Sequence, residues 1–365
     1  MRPTHFTVGA LVLLGCIGGD VCAQQLSPIP VKPMVIDRNL DGKGGDPAED
    51  VSGMACLPAQ AASRMCLLIN DESKKAQFVT IDGDRMSAGR VVPLIGKEPD
   101  SRTLGSPPAQ TCREADDFKD VDGEGVAYAE PYFYSHGCSR KKDKFRLSSF
   151  ILARVRVDRQ GQPIDSAGRP LAPDDFAGAV ETTYRVSDLL KRAGAAAKFF
   201  GKDLESENGL TIEGIAVQGD TIWFGLRAPV DENGIAFLVR GNVADLFKTG
   251  NAASEAAPTL VRLPLEGLGI RDLALLPDNR LLIIAGAPHG KEVPFRLFVV
   301  DPAVGDVKPF GELAAVTQRD GQEMKTGKLE GVTVLETAAD KARIVVLFDS
   351  LPNGAPHQAE ISIPK

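Results

Sequence analysis

One short phrase, repeated five times along the chain, constrains the fold more than any other feature. It reads Asp50-Val-Ser-Gly-Met-Ala55, Val121-Asp-Gly-Glu-Gly-Val-Ala127, Thr211-Ile-Glu-Gly-Ile-Ala216, Gly269-Ile-Arg-Asp-Leu-Ala274 and Lys328-Leu-Glu-Gly-Val-Thr333. A turn and a second apolar, β-rich run follow each copy, at Met65–Asn70, Tyr132–His136, Thr221–Arg227, Arg280–Ala285 and Arg343–Asp349. Third runs come at Ala76–Ile81, Phe150–Val157, Gly234–Arg240, Phe295–Val300 and Gln358–Ile363. Fourth strands fit Arg90–Leu94, Thr182–Val186, Thr259–Leu263 and Asp306–Phe310, with Gly, Asn, Asp and Pro at the junctions. A unit this small cannot cover its own apolar faces, so its copies must pack on one another. Four strands per copy is the plan of a β-propeller.

The fifth unit runs out of chain after its third strand. Val31–Asp37 is a spare strand that can complete it, which is how a closed propeller ties its ends together. The expectation is therefore all-β: a single β-propeller of four-stranded blades, closed by an N-terminal strand. Five blades are readable, and a sixth would have to hide in 95–120 or 158–180. Helical patterning is sparse. Ser187 caps a short helix over Asp188–Phe200, and Val243–Lys248 and Leu313–Gln318 add a turn or two as insertions. At 365 residues the chain has room for two or three domains of ~100–200 residues. The repeat assigns that length to one.

Residues 1–23 read as a signal peptide rather than as structure. Arg2 gives a basic start, Val8 to Ile17 an apolar run, and Val21-Cys22-Ala23 a small-residue cleavage site. The propeller domain is then 24–365. A competing reading is Leu13-Leu14-Gly15-Cys16, which resembles a lipobox and would leave Cys16 lipidated. Both place the protein in the periplasm or outside the cell. No later stretch approaches the ~18 apolar residues of a transmembrane segment. Removing 1–23 leaves Cys56, Cys66, Cys112 and Cys138, an even set suited to disulfides in an oxidising compartment. Three pairings exist. Cys56–Cys66 with Cys112–Cys138 is preferred because each pair closes a local segment, and the spacings do not suit zinc.

Propeller geometry makes the repeat a statement about function. The start of each first strand and the end of each second strand meet at one mouth of the central channel. First strands bring Ser52, Glu124, Glu213, Arg271, Asp272 and Glu330 there; second strands bring Asn70, Asp71, Glu72, His136, Arg227, His289 and Asp349. Three glutamates in one register would repel, raising a pKa or recruiting a cation. Hard oxygen ligands suit Ca²⁺ or Mg²⁺. The plainer role for these glutamates is to accept backbone N–H groups from the neighbouring blade. Arg227 and Arg271, with Asp71 and Asp272 beside them, are candidates for ligand binding, or the arginines pair with the glutamates. His136, in Tyr134-Ser-His-Gly-Cys138, is the candidate general base. His289 and His357 read as surface residues.

Other chemistry finds little support. A net charge of −7, with Arg140-Lys141-Lys142 as the longest basic run, argues against nucleic acid. There is no G-x-S-x-G, P-loop, H-E-x-x-H or complete G-x-G-x-x-G, so no nucleotide cofactor is expected. Asp37-Arg-Asn-Leu-Asp-Gly42 matches the first half of an EF-hand-type loop, but its twelfth position is Ala48 and no helices flank it. It reads as a polar turn.

At these motifs the chain resembles a bacterial family known as domain of unknown function 3616. The similar stretches are Asp50–Ile81, Asp120–Arg140 with Glu124-Gly125 and Ser135-His136-Gly137, Gly209–Val239 with Ile212-Glu213-Gly214 and Gly225-Leu226-Arg227, Gly269–Phe298, and Leu329-Glu330-Gly331. The resemblance supports the propeller and implies no reaction. The Glu-Gly phrase alone is also similar to that of metal-dependent lactonase and phytase-like propellers, in which a channel Glu binds calcium. Two functions follow as expectations. One is an extracytoplasmic, divalent-metal-assisted hydrolase of small anionic esters, a phosphoester or a lactone, with the metal on Glu124, Glu213 and Glu330. The other is a non-catalytic envelope propeller that binds a small ligand or a protein. In a third, the insertions 95–120 and 187–203 cover the mouth.

Overall fold

A computed structural model of the chain describes residues 26–59, 63–71, 73–108, 118–137, 146–290, 293–320 and 323–365. The signal-peptide segment, Cys16, Glu72, Cys112 and Cys138 lie outside them. Five blades form, each taking its antiparallel strands outward from the channel in chain order save where N-terminal strands are added to the fifth and the first. The first blade is Val51–Cys56, Ser63–Asn70, Lys75–Asp82 and Arg85–Pro93. The second is Gly123–Ala129, Tyr132–Gly137, Leu152–Arg156 and Val180–Thr183. The third is Thr211–Gln218, Thr221–Ala228, Ala236–Asn242 and Thr259–Leu263. The fourth is Gly269–Leu275, Leu281–Gly286, Phe295–Asp301 and Asp306–Leu313. The fifth is Lys328–Ala338, Lys341–Asp349 and His357–Ser362, with Lys32–Pro33 as its outer strand.

The alternation of a β-strand explains why the second strands are apolar without a break. Successive side chains point to opposite faces, and in a propeller both faces are covered. In the third blade Ile222, Phe224 and Leu226 pack toward the second blade and Trp223 toward the fourth. In the fifth, Ile344, Val346 and Phe348 pack toward the fourth blade, and Val345 and Leu347 toward the first. One apolar cluster fills each junction between neighbouring blades, including that between fifth and first, so the ring closes on five.

The closing strand is divided. Lys32–Pro33 pairs antiparallel with His357–Ser362, and Val35–Arg38 then crosses to pair in parallel with Arg85–Pro93 of the first blade. The expected single strand over Val31–Asp37 is thus a clasp that spans two blades. Asn353 reinforces it, accepting from Leu40 N at 2.8 Å and donating its backbone N–H to the Ala48 carbonyl. The turn after the clasp is a polar one, as expected: Asp37 pairs with Arg85, and Asp41 with Lys75 at 3.0 Å.

The insertions differ from expectation in detail. The helix between the second and third blades is broken into Arg185–Leu190 and a 3₁₀ stretch at Gly194–Phe199, so Ser187 lies inside a helix rather than capping one. Leu313–Gln318 is not helical; it leads into a hairpin, Thr317–Asp320 with Glu323–Thr326. Residues 158–180 form two successive turns outside the second blade, closed by Asp158–Gln162 and Asp165–Arg169 bonds, and make no sixth blade. The stretch through Leu104 runs along the outer strand of the second blade, bonded to Thr182, and none of the described residues 95–108 lines the mouth. No helix among the described residues is long and apolar enough to cross a membrane.

Candidate functional site

Each inner strand carries a β-bulge at the same point. At that point pairing with the second strand skips one inner-strand residue: Ser52 between Val51 and Gly53, Glu124 between Gly123 and Gly125, Glu213 between Ile212 and Gly214, Arg271 between Ile270 and Asp272, and Glu330 between Leu329 and Gly331. A bulge leaves its extra residue out of the ladder and re-aims it. Glu124, Glu213, Arg271 and Glu330 are all turned into the channel mouth and line its cavity.

The residue after the bulge makes the contact between blades. A Cβ on Gly125 would lie 2.8 Å from Ile215 N of the third blade, and one on Gly214 would lie 2.7 Å from the Asp272 Cα and Leu273 N of the fourth. One on Gly331 would lie 3.0 Å from the Ser52 carbonyl. Backbones approach that closely only where no side chain intervenes. The fourth blade departs from this. There Asp272 reaches across instead, accepting from Val332 N of the fifth blade at 2.7 Å and from its neighbour Leu273 N at 2.8 Å. Burial pushes its carboxyl well above the ordinary range, while the two N–H bonds act the other way. The tiling role considered for the glutamates therefore belongs to Asp272, which does not line the cavity and is corrected from a ligand-binding candidate to a blade-to-blade contact.

The three glutamates converge. One carboxylate oxygen from each of Glu124, Glu213 and Glu330 lies within 4.8 Å of the other two. At that range, with an effective dielectric of ~20, each pair of full charges would repel by about 3–4 kcal/mol. Arg271 offsets part of this, pairing with Glu330 and standing 3.6 Å from Glu213. Arg227 pairs with Glu213 at 3.3 Å and donates from Nε to the Pro288 carbonyl at 3.1 Å. Glu124, only 8 % exposed, makes no hydrogen bond or ion pair with any described residue. Desolvation, then Glu213, Asp122 and Asp71, pushes its carboxyl well above the ordinary range. Burial lowers the pKa of Arg271, and its Nε has no hydrogen-bond partner among the described residues.

Around this cluster opens a cavity of about 820 Å³. Asp71, Asp122 and Asp349 join the glutamates in lining it, and Asp203 and Glu205 reach it from the insertion before the third blade. Against these eight carboxylates stand Arg227, Arg271 and Lys328, the last 3.6 Å from Asp349. The two arginines are committed to glutamates, as the pairing reading anticipated. Asp203–Glu205 narrows the mouth without closing it.

The histidines are rearranged relative to expectation. His136 pairs through its backbone with Gly125, beside Glu124, but its side chain lies outside what is described. His289, read as a surface residue, lines the cavity with a buried, unpartnered Nδ1. His357, also read as surface, is buried, its Nδ1 2.7 Å from the Ala355 carbonyl and its ring edge-on to Phe348. Of the four cysteines, Cys56 and Cys66 face each other across two strands and are disulfide-bonded as expected. Cys112–Cys138 falls outside the described residues.

Comparison with known proteins adds family and fold. No curated protein matches the chain in sequence. Among solved structures, a member of the GH130 family of mannoside phosphorylases and glycoside hydrolases that target β-1,2 mannosidic linkages in Candida mannan is 10% identical, covering 92% of this chain and 93% of its own at a TM-score of 0.45. A 6-phosphogluconolactonase assignment from Bacteroides uniformis is 11% identical, with 88% of both chains covered at 0.32. Hydrazine synthase of Kuenenia stuttgartiensis is 10% identical over 85% of this chain at 0.36, and this chain spans only 59% of its length. The family model described as "Protein of unknown function (DUF3616)" matches residues 109–363, from ahead of the second blade to the last strand, and the chain belongs to that family.

Proposed function

We propose that the channel mouth holds a divalent cation, calcium or magnesium, on Glu124, Glu213 and Glu330, and that the protein hydrolyses a small anionic ester there. The observation that carries this reading is the convergence of carboxylate oxygens from three buried glutamates within 4.8 Å of one another. An all-oxygen set of this kind suits a hard cation. The cavity volume falls in the range of ~300–1,000 Å³ typical of small-molecule sites. When bound, such a cation supplies Lewis-acid polarisation of an ester oxygen and an acidified water. It also brings positive charge to a cavity whose arginines are already engaged, which an anionic substrate requires. Arg227 and Arg271 hold Glu213 and Glu330 in place, and His136, in register beside Glu124, is the proposed base. An oxidising compartment outside the cytoplasm accompanies this reading, supported by the Cys56–Cys66 disulfide.

Elemental analysis of protein purified without chelator, a thermal-shift titration with calcium and magnesium, and turnover of phosphoesters and lactones test it together. Metal-dependent stabilisation and turnover, both lost in Glu213→Gln, are expected. A melting temperature indifferent to metal, with no metal co-purifying, contradicts it. The pairing of Arg271 with two of the three glutamates favours a second reading, a non-catalytic propeller that binds a ligand or an envelope protein over a self-neutralised cluster. That reading expects full folding in chelator and no ester turnover.

A further inference from the structure

The cavity has two unlike sides. The carboxylates come from the inner strands and second-strand ends, whereas the loop after the second strand of the fourth blade and the segment leaving that blade present apolar groups. Leu204, Val293, Phe295, Leu313, Ala314 and Ala315 line the same space. Val293 is 36 % exposed, one of only four large hydrophobic residues that exposed among those described, and Ala314 and Ala315 are exposed as well. His289 stands in the same lining, its Nδ1 buried and unpartnered. The loop that carries it is anchored on both sides: Arg227 Nε donates to the Pro288 carbonyl, and Gly290 N donates to Glu205 at 3.1 Å.

From this we infer that the ligand is amphipathic, an ester or lactone bearing a hydrocarbon chain, and not a phosphorylated sugar or other polyol. A polyol would leave the apolar side wet. A phosphate dianion would meet eight carboxylates and no uncommitted arginine. A hydrocarbon chain removes Leu204, Val293 and Ala315 from water, while its ester oxygens face the glutamates. The inference narrows the proposed function to uncharged esters and lactones, setting aside its anionic and phosphoester substrates, and rests on it for the polar end of the ligand alone.

The probes are straight-chain γ-lactones from γ-butyrolactone to γ-decanolactone, titrated calorimetrically into the protein with calcium or with chelator. Affinity is expected to rise about fourfold per added methylene, the factor for burying one CH₂. Val293→Asp and Ala315→Asp, both at exposed positions, should flatten that gradient without changing the melting temperature. A gradient that persists in chelator supports the amphipathic ligand and overturns the metal reading. A flat series, or glycerol phosphate binding more tightly than the longest lactone, overturns the inference whatever calcium does.

Discussion

The fourth blade and its neighbours on either side use one backbone device to opposite ends. All have a bulge near the start of the inner strand, and all turn the skipped residue toward the channel. In the third and fifth blades that residue is Glu and the next is Gly; in the fourth they are Arg271 and Asp272. The comparison separates two roles that the repeated phrase runs together. The bulge residue sets the charge of the mouth, and the residue after it joins one blade to the next. Where that second residue is Gly, backbone meets backbone; where it is Asp, a carboxylate bridges the gap. Without Arg271 the mouth would hold three mutually repelling glutamates, with Arg227 paired to Glu213 and Lys328 drawn to Asp349.

Substitutions that make the fourth blade resemble its neighbours, or the reverse, probe this contrast. The largest effect is expected for Arg271→Met, which leaves Glu213 and Glu330 buried without their shared cation and should cost about 3–5 kcal/mol in denaturant unfolding at neutral pH. The loss should shrink in acid, as the carboxylates protonate, and added calcium should restore part of it if the cluster is a cation site. Asp272→Ala strands the Val332 and Leu273 N–H groups and should cost about 2–4 kcal/mol. If it unfolds at the wild-type denaturant concentration, the bridging role is wrong. Gly214→Ala drives a Cβ into the fourth-blade backbone, which cannot rotate aside, for a cost of about 1–3 kcal/mol. An unchanged melting temperature would show that the close approach matters little.

Glu124→Gln has the opposite sign and the smallest expected effect. Because burial raises the Glu124 carboxyl, the folded state holds its proton to higher pH than the unfolded chain does. Stability from this group is therefore intact below the ordinary carboxylate range and declines as pH rises through the raised value. The amide has no such penalty. Glu124→Gln should match wild type in acid and exceed it at neutral pH when no metal is added, read from unfolding curves across that range.

How much of this the amino-acid sequence discloses depends on how local the physics is. Strand runs and their junctions were readable because each is set by alternation and turn residues within a few positions. The convergence of Glu124, Glu213 and Glu330 was readable for a related reason: identical register in a ring means identical depth in the channel. The bulge was not, since a skipped residue leaves no mark on the apolar pattern. Nor was the division of labour between Arg271 and Asp272, which depends on partners 59 and 60 residues away. His357 is buried because the clasp strand and Phe348 enclose it, contacts that its sequence neighbours do not disclose. His289 lies at the mouth where the second-strand register puts it, but its loop tucks Nδ1 out of solvent, which the turn residues around it do not disclose.

The central claim is that three glutamates of different blades form one cation site. Crystals grown without chelator and soaked in manganese test it by anomalous diffraction. The account predicts a single peak within about 2.0–2.6 Å of oxygens from Glu124, Glu213 and Glu330, absent in Glu213→Gln. A peak elsewhere, or none with Arg271 still seated between Glu213 and Glu330, would contradict it.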